Sequence, residues 1–144
     1  MEYILYTWKT FNYTINNEPV GSIIDFATFK DEKNILIQIF CGEKKSILKN
    51  ILNEITKELP NAICIGSSTD GEINDDKITT LNTIITISTF DKTTLKIAYV
   101  NEKDSFSNGR NLATLLCNED TKLLITFTDG AKTNGEEFLN GISS

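Results

Sequence analysis

The chain has 144 residues, 40% hydrophobic and 24% charged, enough for one folded domain with a core of its own. Its net charge of −6 argues against non-specific nucleic-acid binding and against anionic membranes, both of which call for a Lys/Arg surface. With no histidine in the sequence, Ser-His-Asp and Cys-His catalysis, histidine zinc sites and haem held by a protein imidazole are excluded within this chain.

The residues from Met1 to Trp8 are rich in Tyr, Ile, Leu and Trp and alternate loosely, which predicts an edge strand. Asn16-Asn17-Glu18-Pro19 reads as a turn. Gly21 to Lys30 is ambiguous, with Ile23, Ile24, Phe26 and Ala27 able to form one face of a short helix. Ile35-Leu36-Ile37-Gln38-Ile39-Phe40 is nearly continuous and apolar, the pattern of a central strand covered on both faces. From Ser46 the spacing becomes helical. Ile47, Leu48, Ile51, Leu52, Ile55 and Leu59 share one side, charged and amide residues fill the other, and Pro60 stops the run.

Ala62-Ile63-Cys64-Ile65 predicts a second buried strand, opening into Gly66-Ser67-Ser68-Thr69-Asp70-Gly71-Glu72. Thr83 to Phe90 and Thr94 to Val100 are β-branched runs separated by a turn at Asp91-Lys92, close enough for an antiparallel hairpin. Ser105 or Ser107 can cap a helix running through Cys117. Leu123 to Phe127 reads as a strand ending in Thr128-Asp129-Gly130, and Gly135 to Ile142 as a last amphipathic helix. The expectation is an α/β domain: a mixed, mostly β sheet with helices packed on it. Thr-Asp-Gly occurs twice, each time after a strand-helix-strand pattern, which suggests a degenerate duplication of a βαβ unit. The same pairs are also ordinary Asp-Gly turns.

Cys41, Cys64 and Cys117 are widely spaced, odd in number and without a Cys-x-x-Cys, which suits a reducing compartment; two of them lie in or beside apolar runs, which predicts small buried hydrophobes. No window of 18 apolar residues and no signal-peptide pattern is present, so neither a membrane span nor secretion is expected.

The residues that carry chemistry lie in the two loops. Ser67, Ser68 and Thr69 bring hydroxyls, Asp70, Glu72 and Asp129 carboxylates, and Gly71 and Gly130 backbone freedom. Backbone N–H groups in such a loop can hold an anion, and the carboxylates an ammonium, as an amino acid requires. Asp70, Glu72, Asp75 and Asp76 form an oxygen-rich run that would suit a hard divalent ion, though its spacing is not that of an EF-hand and a solvated acidic loop explains it as well. An enzyme using Asp70 and Asp129 for acid/base work is a further class, but Gly-x-Ser-x-Gly is absent. A third is a protein-docking module, for which Tyr3, Tyr6, Trp8, Phe11 and Tyr13 crowd the N-terminus; they are equally suited to packing on the sheet.

At these loops the sequence resembles the FIST domain (F-box and intracellular signal transduction sensor domain) in its N-terminal part. The family's Gly-Cys/Ser-Ser-Thr-x-Gly-Glu-Ile stretch stands here as Gly66-Ser67-Ser68-Thr69-Asp70-Gly71-Glu72-Ile73. Its later stretch stands as Phe127-Thr128-Asp129-Gly130, then Asn134-Gly135-Glu136 and an apolar helix. The resemblance runs in consistent order over about residues 30–144. It implies a single domain that is the N-terminal part of a longer bacterial, cytoplasmic sensor and not an enzyme; some members of the family bind haem, but with no histidine in this chain no cofactor is expected. It implies a small amino acid-like ligand, with Ser67, Ser68, Thr69, Asp70, Gly71, Glu72, Thr128, Asp129 and Gly130 as the binding residues. The partner implied is an output protein such as a histidine kinase, a chemoreceptor or a cyclic-dinucleotide enzyme, with neither nucleic acid nor membrane among the partners.

Overall fold

The structure, a computed structural model, describes residues 8–74 and 77–144. The chain divides into two compact units, one ending at Leu95 and one spanning Lys96–Ser144.

The first unit is a four-stranded mixed sheet with helices on it. Its elements are β1 (Trp8–Ile15), α1 (Val20–Ile23), a short 3₁₀ helix (Phe26–Phe29), β2 (Ile35–Cys41), α2 (Lys45–Glu58), β3 (Ile63–Ser68), the small ribbon β4 (Glu72–Asn74) and β5 (Lys77–Thr79), and β6 (Thr83–Phe90). The strand order is β1-β6-β2-β3. β2 and β3 run parallel, joined by α2, while β6 lies antiparallel between β1 and β2. β1 is thus an edge strand, but it lies further along than Met1 to Trp8, most of which falls outside the described residues.

The core follows from alternation along these strands. Ile35, Ile37, Ile39 and Cys41 of β2 are buried, and the residues between them are half-buried, so one face of this interior strand is fully covered and the other in part. Ile85 and Ile87 of β6 lie beside them in register. Ile51 and Ile55 of α2, Leu59 directly after it, and Val20, Ile24, Phe26 and Phe29 from the crossover complete the core. Phe11 of β1 packs edge-on against Phe29, with ring centroids 5.2 Å apart. Each such buried side chain contributes about 1.5–3 kcal/mol.

The proposed hairpin of Thr83–Phe90 with Thr94–Val100 does not form. Both edges of β6 are already taken by β1 and β2, which leaves no ladder for a third partner. The boundary between the units also falls inside the Thr94–Val100 run. Neither that run nor Leu123–Phe127 belongs to a sheet among the described residues. Among the described residues, β2-α2-β3 alone builds the expected βαβ unit.

In the second unit, α3 (Ser105–Leu116) and α4 (Gly135–Ile142) pack together. The cap of α3 is Asp104, whose side chain accepts from Ser107 N at 2.8 Å, and not either serine. Ser105 is buried instead, and its Oγ accepts from Asn134 N at 2.9 Å. Asn134 in turn caps α4 by accepting from Glu136 N and Glu137 N.

Candidate functional site

The motif lies at the carboxyl ends of the adjacent parallel strands β2 and β3, the end of an open α/β sheet where ligands characteristically bind. β3 runs further than its apolar stretch suggests. Gly66, Ser67 and Ser68 are still strand, paired with Ile39, Phe40 and Cys41. Gly66 is needed for close approach and not for a left-handed backbone: a Cβ there would overlap the Ile39 carbonyl oxygen. No described glycine has positive φ. Thr69 N extends the ladder by one bond, donating to Cys41 O at 3.0 Å.

Beyond β3 the motif residues separate into two groups. Ser68, Asp70 and Gly71 are exposed, and Ser67 is half-buried with its hydroxyl donating to Ser68 O at 2.9 Å. Asp70 has no hydrogen-bond partner among the described residues. Glu72 turns the other way and is only 2% exposed. Thr69 Oγ1 donates to its Oε1 at 2.6 Å, a short charge-assisted bond, and Asn82 N reaches its Oε2 at 3.4 Å. Its carboxylate lies against Gly42, where any Cβ would overlap Oε1. Gly42 N donates to Asn82 O at 2.9 Å, so Asn82 is held through both backbone groups.

Gly42 and Asn82 thus belong to the site, although nothing in the Gly66–Glu72 pattern pointed to them. The available signal was a glycine directly after β2, which is where close approach to another chain segment is expected. Leu81, beside Asn82, has φ 59°, an unusual backbone for a branched residue. Two further oxygens, Glu43 Oε1 and Thr79 Oγ1, are buried without a hydrogen-bond partner among the described residues. Glu43 follows Gly42, and Thr79 stands opposite Glu72 in the β4–β5 register.

The second loop, Thr128-Asp129-Gly130, is exposed and belongs to the second unit, whereas Ser67–Glu72 belongs to the first. Asp129 makes a local turn. Its side chain takes Lys132 Nζ at 3.2 Å and Ala131 N at 3.0 Å, and its carbonyl accepts from Thr133 N at 2.9 Å. Lys132, then the Ala131 amide, hold the Asp129 carboxyl below the usual range. Gly130 has open space around it, so neither packing nor φ demands a glycine there.

Asp75 and Asp76 lie outside the described residues. Among the described residues no three His, Cys, Asp or Glu side chains come together in a group that could hold a metal ion. No described helix is long and apolar enough to cross a membrane. Of the N-terminal aromatics, Trp8 is exposed, Phe11 packs against the core, Tyr13 is half-buried, and Tyr3 and Tyr6 lie outside the described residues. A concavity of about 540 Å³ lies elsewhere in the first unit, between the α1–3₁₀ crossover and α2, and is lined by no motif residue.

Comparison with curated proteins and with solved structures returned no match. The FIST N domain family model matches residues 35–144, which takes in β2, α2, the motif end of β3, β6 and both helices of the second unit. The match covers most of the chain, and the chain belongs to the FIST N domain family.

Proposed function

We propose that this chain is a non-catalytic, cytoplasmic bacterial sensor domain that takes a small amino acid-like ligand at the Ser67–Glu72 end of the sheet. FIST is a family of signal-transduction sensors. The observation that carries the ligand reading is the exposed Asp70 carboxylate, without a partner among the described residues, at the carboxyl ends of β2 and β3. An amino acid's ammonium supplies three donors for such a carboxylate. The hydroxyls of Ser67 and Ser68 and the backbone at Gly71 are the further contacts proposed in this loop. Thr69 and Glu72 frame it. Thr128, Asp129 and Gly130, in the second unit, are proposed as further ligand-binding residues.

Signalling then works by population shift. A ligand that favours one arrangement of the loop biases contact with an output protein such as a histidine kinase, a chemoreceptor or a cyclic-dinucleotide enzyme. A second reading, protein docking without a small ligand, is favoured by Ile73 and Ile78. They are cross-strand partners in the β4–β5 ribbon and are 72% and 79% exposed.

A thermal-shift screen of the twenty free amino acids tests the first reading, because a ligand that binds only the native state raises Tm. The expected result is a selective rise that Asp70→Asn abolishes. A folded protein whose Tm moves with none of them would overturn the amino-acid reading and favour docking.

A further inference from the structure

We infer that Glu72 is a positioning residue of the site and that Asp70 is the carboxylate of this loop that meets the ligand. The first half stands on geometry alone, and the second rests on the sensor reading above. Glu72 has both carboxylate oxygens engaged from inside the protein. Oε1 accepts the Thr69 hydroxyl and Oε2 the Asn82 amide. The group is 2% exposed, so a solute reaches it only after the loop has opened.

Its contacts come from three different connections. Gly42 follows β2, Thr69 follows β3, and Asn82 precedes β6. Backbone bonds already tie these in pairs, Thr69 N to Cys41 O at 3.0 Å and Gly42 N to Asn82 O at 2.9 Å. The carboxylate sits where all three meet and fixes the turn that presents Asp70. Gly42 is the other half of this device, because its bare Cα makes the room the carboxylate occupies. The motif's conspicuous acid is therefore directed inward, and its less conspicuous neighbour outward.

A glutamine at position 72 keeps the size but loses the charge: even where the Thr69 hydroxyl turns to accept from the new amide, neither it nor the Asn82 amide any longer bonds a carboxylate, so both contacts weaken. Amide hydrogen exchange of the whole chain, followed residue by residue, reads this directly. Glu72→Gln is expected to speed exchange at Thr69 and Asn82 at least tenfold, with Ile37 and Ile85 in the core unchanged. Gly42→Ala should do the same from the opposite side. Should it fail to fold, Thr69→Val removes one donor without adding bulk near Gly42. Asp70→Asn should leave exchange as it is and abolish the thermal shift given by whichever free amino acid stabilises the native protein most.

Unchanged exchange in Glu72→Gln overturns the positioning role. So does a variant that keeps native exchange yet loses the amino-acid shift, since Glu72 would then be a contact. A full shift in Asp70→Asn overturns the second half. If no amino acid shifts the native protein while exchange behaves as expected, the sensor reading fails and the positioning role stands.

Discussion

Gly109 and Gly141 form a reciprocal pair at the crossing of α3 and α4. A Cβ on Gly109 would overlap the carbonyl oxygen of Phe138, and one on Gly141 that of Phe106. Each glycine is thus pressed on the backbone of the opposite helix, three residues before the other glycine.

This reverses the usual sign of a helix substitution. Replacing glycine by alanine in a helix interior normally stabilises by about 1 kcal/mol. Here the obstacle is backbone, which cannot swing aside, so Gly109→Ala and Gly141→Ala should each cost about 1–3 kcal/mol, in the range of core overpacking. Gly135→Ala is the control, since nothing lies within 4 Å of a Cβ there. Urea denaturation followed by circular dichroism checks the prediction. Equal stability of Gly109→Ala and Gly135→Ala would show that the helices do not pack through these glycines.

Leu81 gives a second prediction. Its φ of 59° places a branched, 70% exposed side chain in the left-handed region, with no burial to compensate. That backbone costs roughly 1–2 kcal/mol for an ordinary residue and much less for asparagine. Leu81→Asn should therefore raise stability by up to about 1 kcal/mol. It should also leave the amide exchange of Asn82 no faster than before. A lower urea midpoint in the variant would sink the strain argument.

The parts of the fold written in local spacing were legible in the sequence. α2 shows its period in Ile47, Ile51 and Ile55 and its stop in Pro60, and it runs Lys45–Glu58. β2 and β6 were visible as β-branched runs. What was not legible was partnership. No local pattern in Thr83–Phe90 says that its neighbours are β1 and β2 and not the run at Thr94, because ladder partners are chosen across the whole chain. The site divides likewise. Ser67–Glu72 stood out because glycine, hydroxyls and acids followed an apolar strand. That Glu72 turns inward depends on Gly42 and Asn82, 30 residues before it and 10 after, and no spacing within the motif encodes that contact.

The cysteines should react in order of access and thiolate content. Cys117 is exposed. Cys64 is half-buried, and burial pushes its thiol above the ordinary value. Cys41 is buried, with Sγ accepting from Thr83 Oγ1 at 3.2 Å. Iodoacetamide at pH 8 should modify Cys117 first and Cys64 slowly, and reach Cys41 only when denaturant is added, as read by mass spectrometry. Modification of Cys41 as fast as Cys117 in the native protein would contradict the buried strand. The raised Cys64 thiol also has a pH consequence. The stabilisation it provides is complete below the unfolded thiol pKa of about 8.5 and is lost as pH rises above it.

The acid limb is predicted by two aspartates of the second unit. The Ser107 amide at the start of α3 holds the Asp104 carboxyl below its usual range, and Lys132 does the same for Asp129. A carboxyl whose folded pKa is depressed stabilises the fold above the unfolded value and loses that contribution as pH falls through the folded one. The window therefore opens below about pH 4 and extends downward. Asparagine at 104 keeps an oxygen for the Ser107 amide but does not titrate. The double variant Asp104→Asn, Asp129→Asn should thus unfold at a lower temperature than the native chain at pH 7, where it lacks this contribution, and approach the native temperature between pH 4 and 2, so that its decline is shallower. Thermal melts by circular dichroism at a series of pH values measure that slope. An acid decline as steep in the double variant as in the native chain would mean that other carboxylates carry it, and that the ionised Asp104 and Asp129 make no measurable contribution to stability at neutral pH.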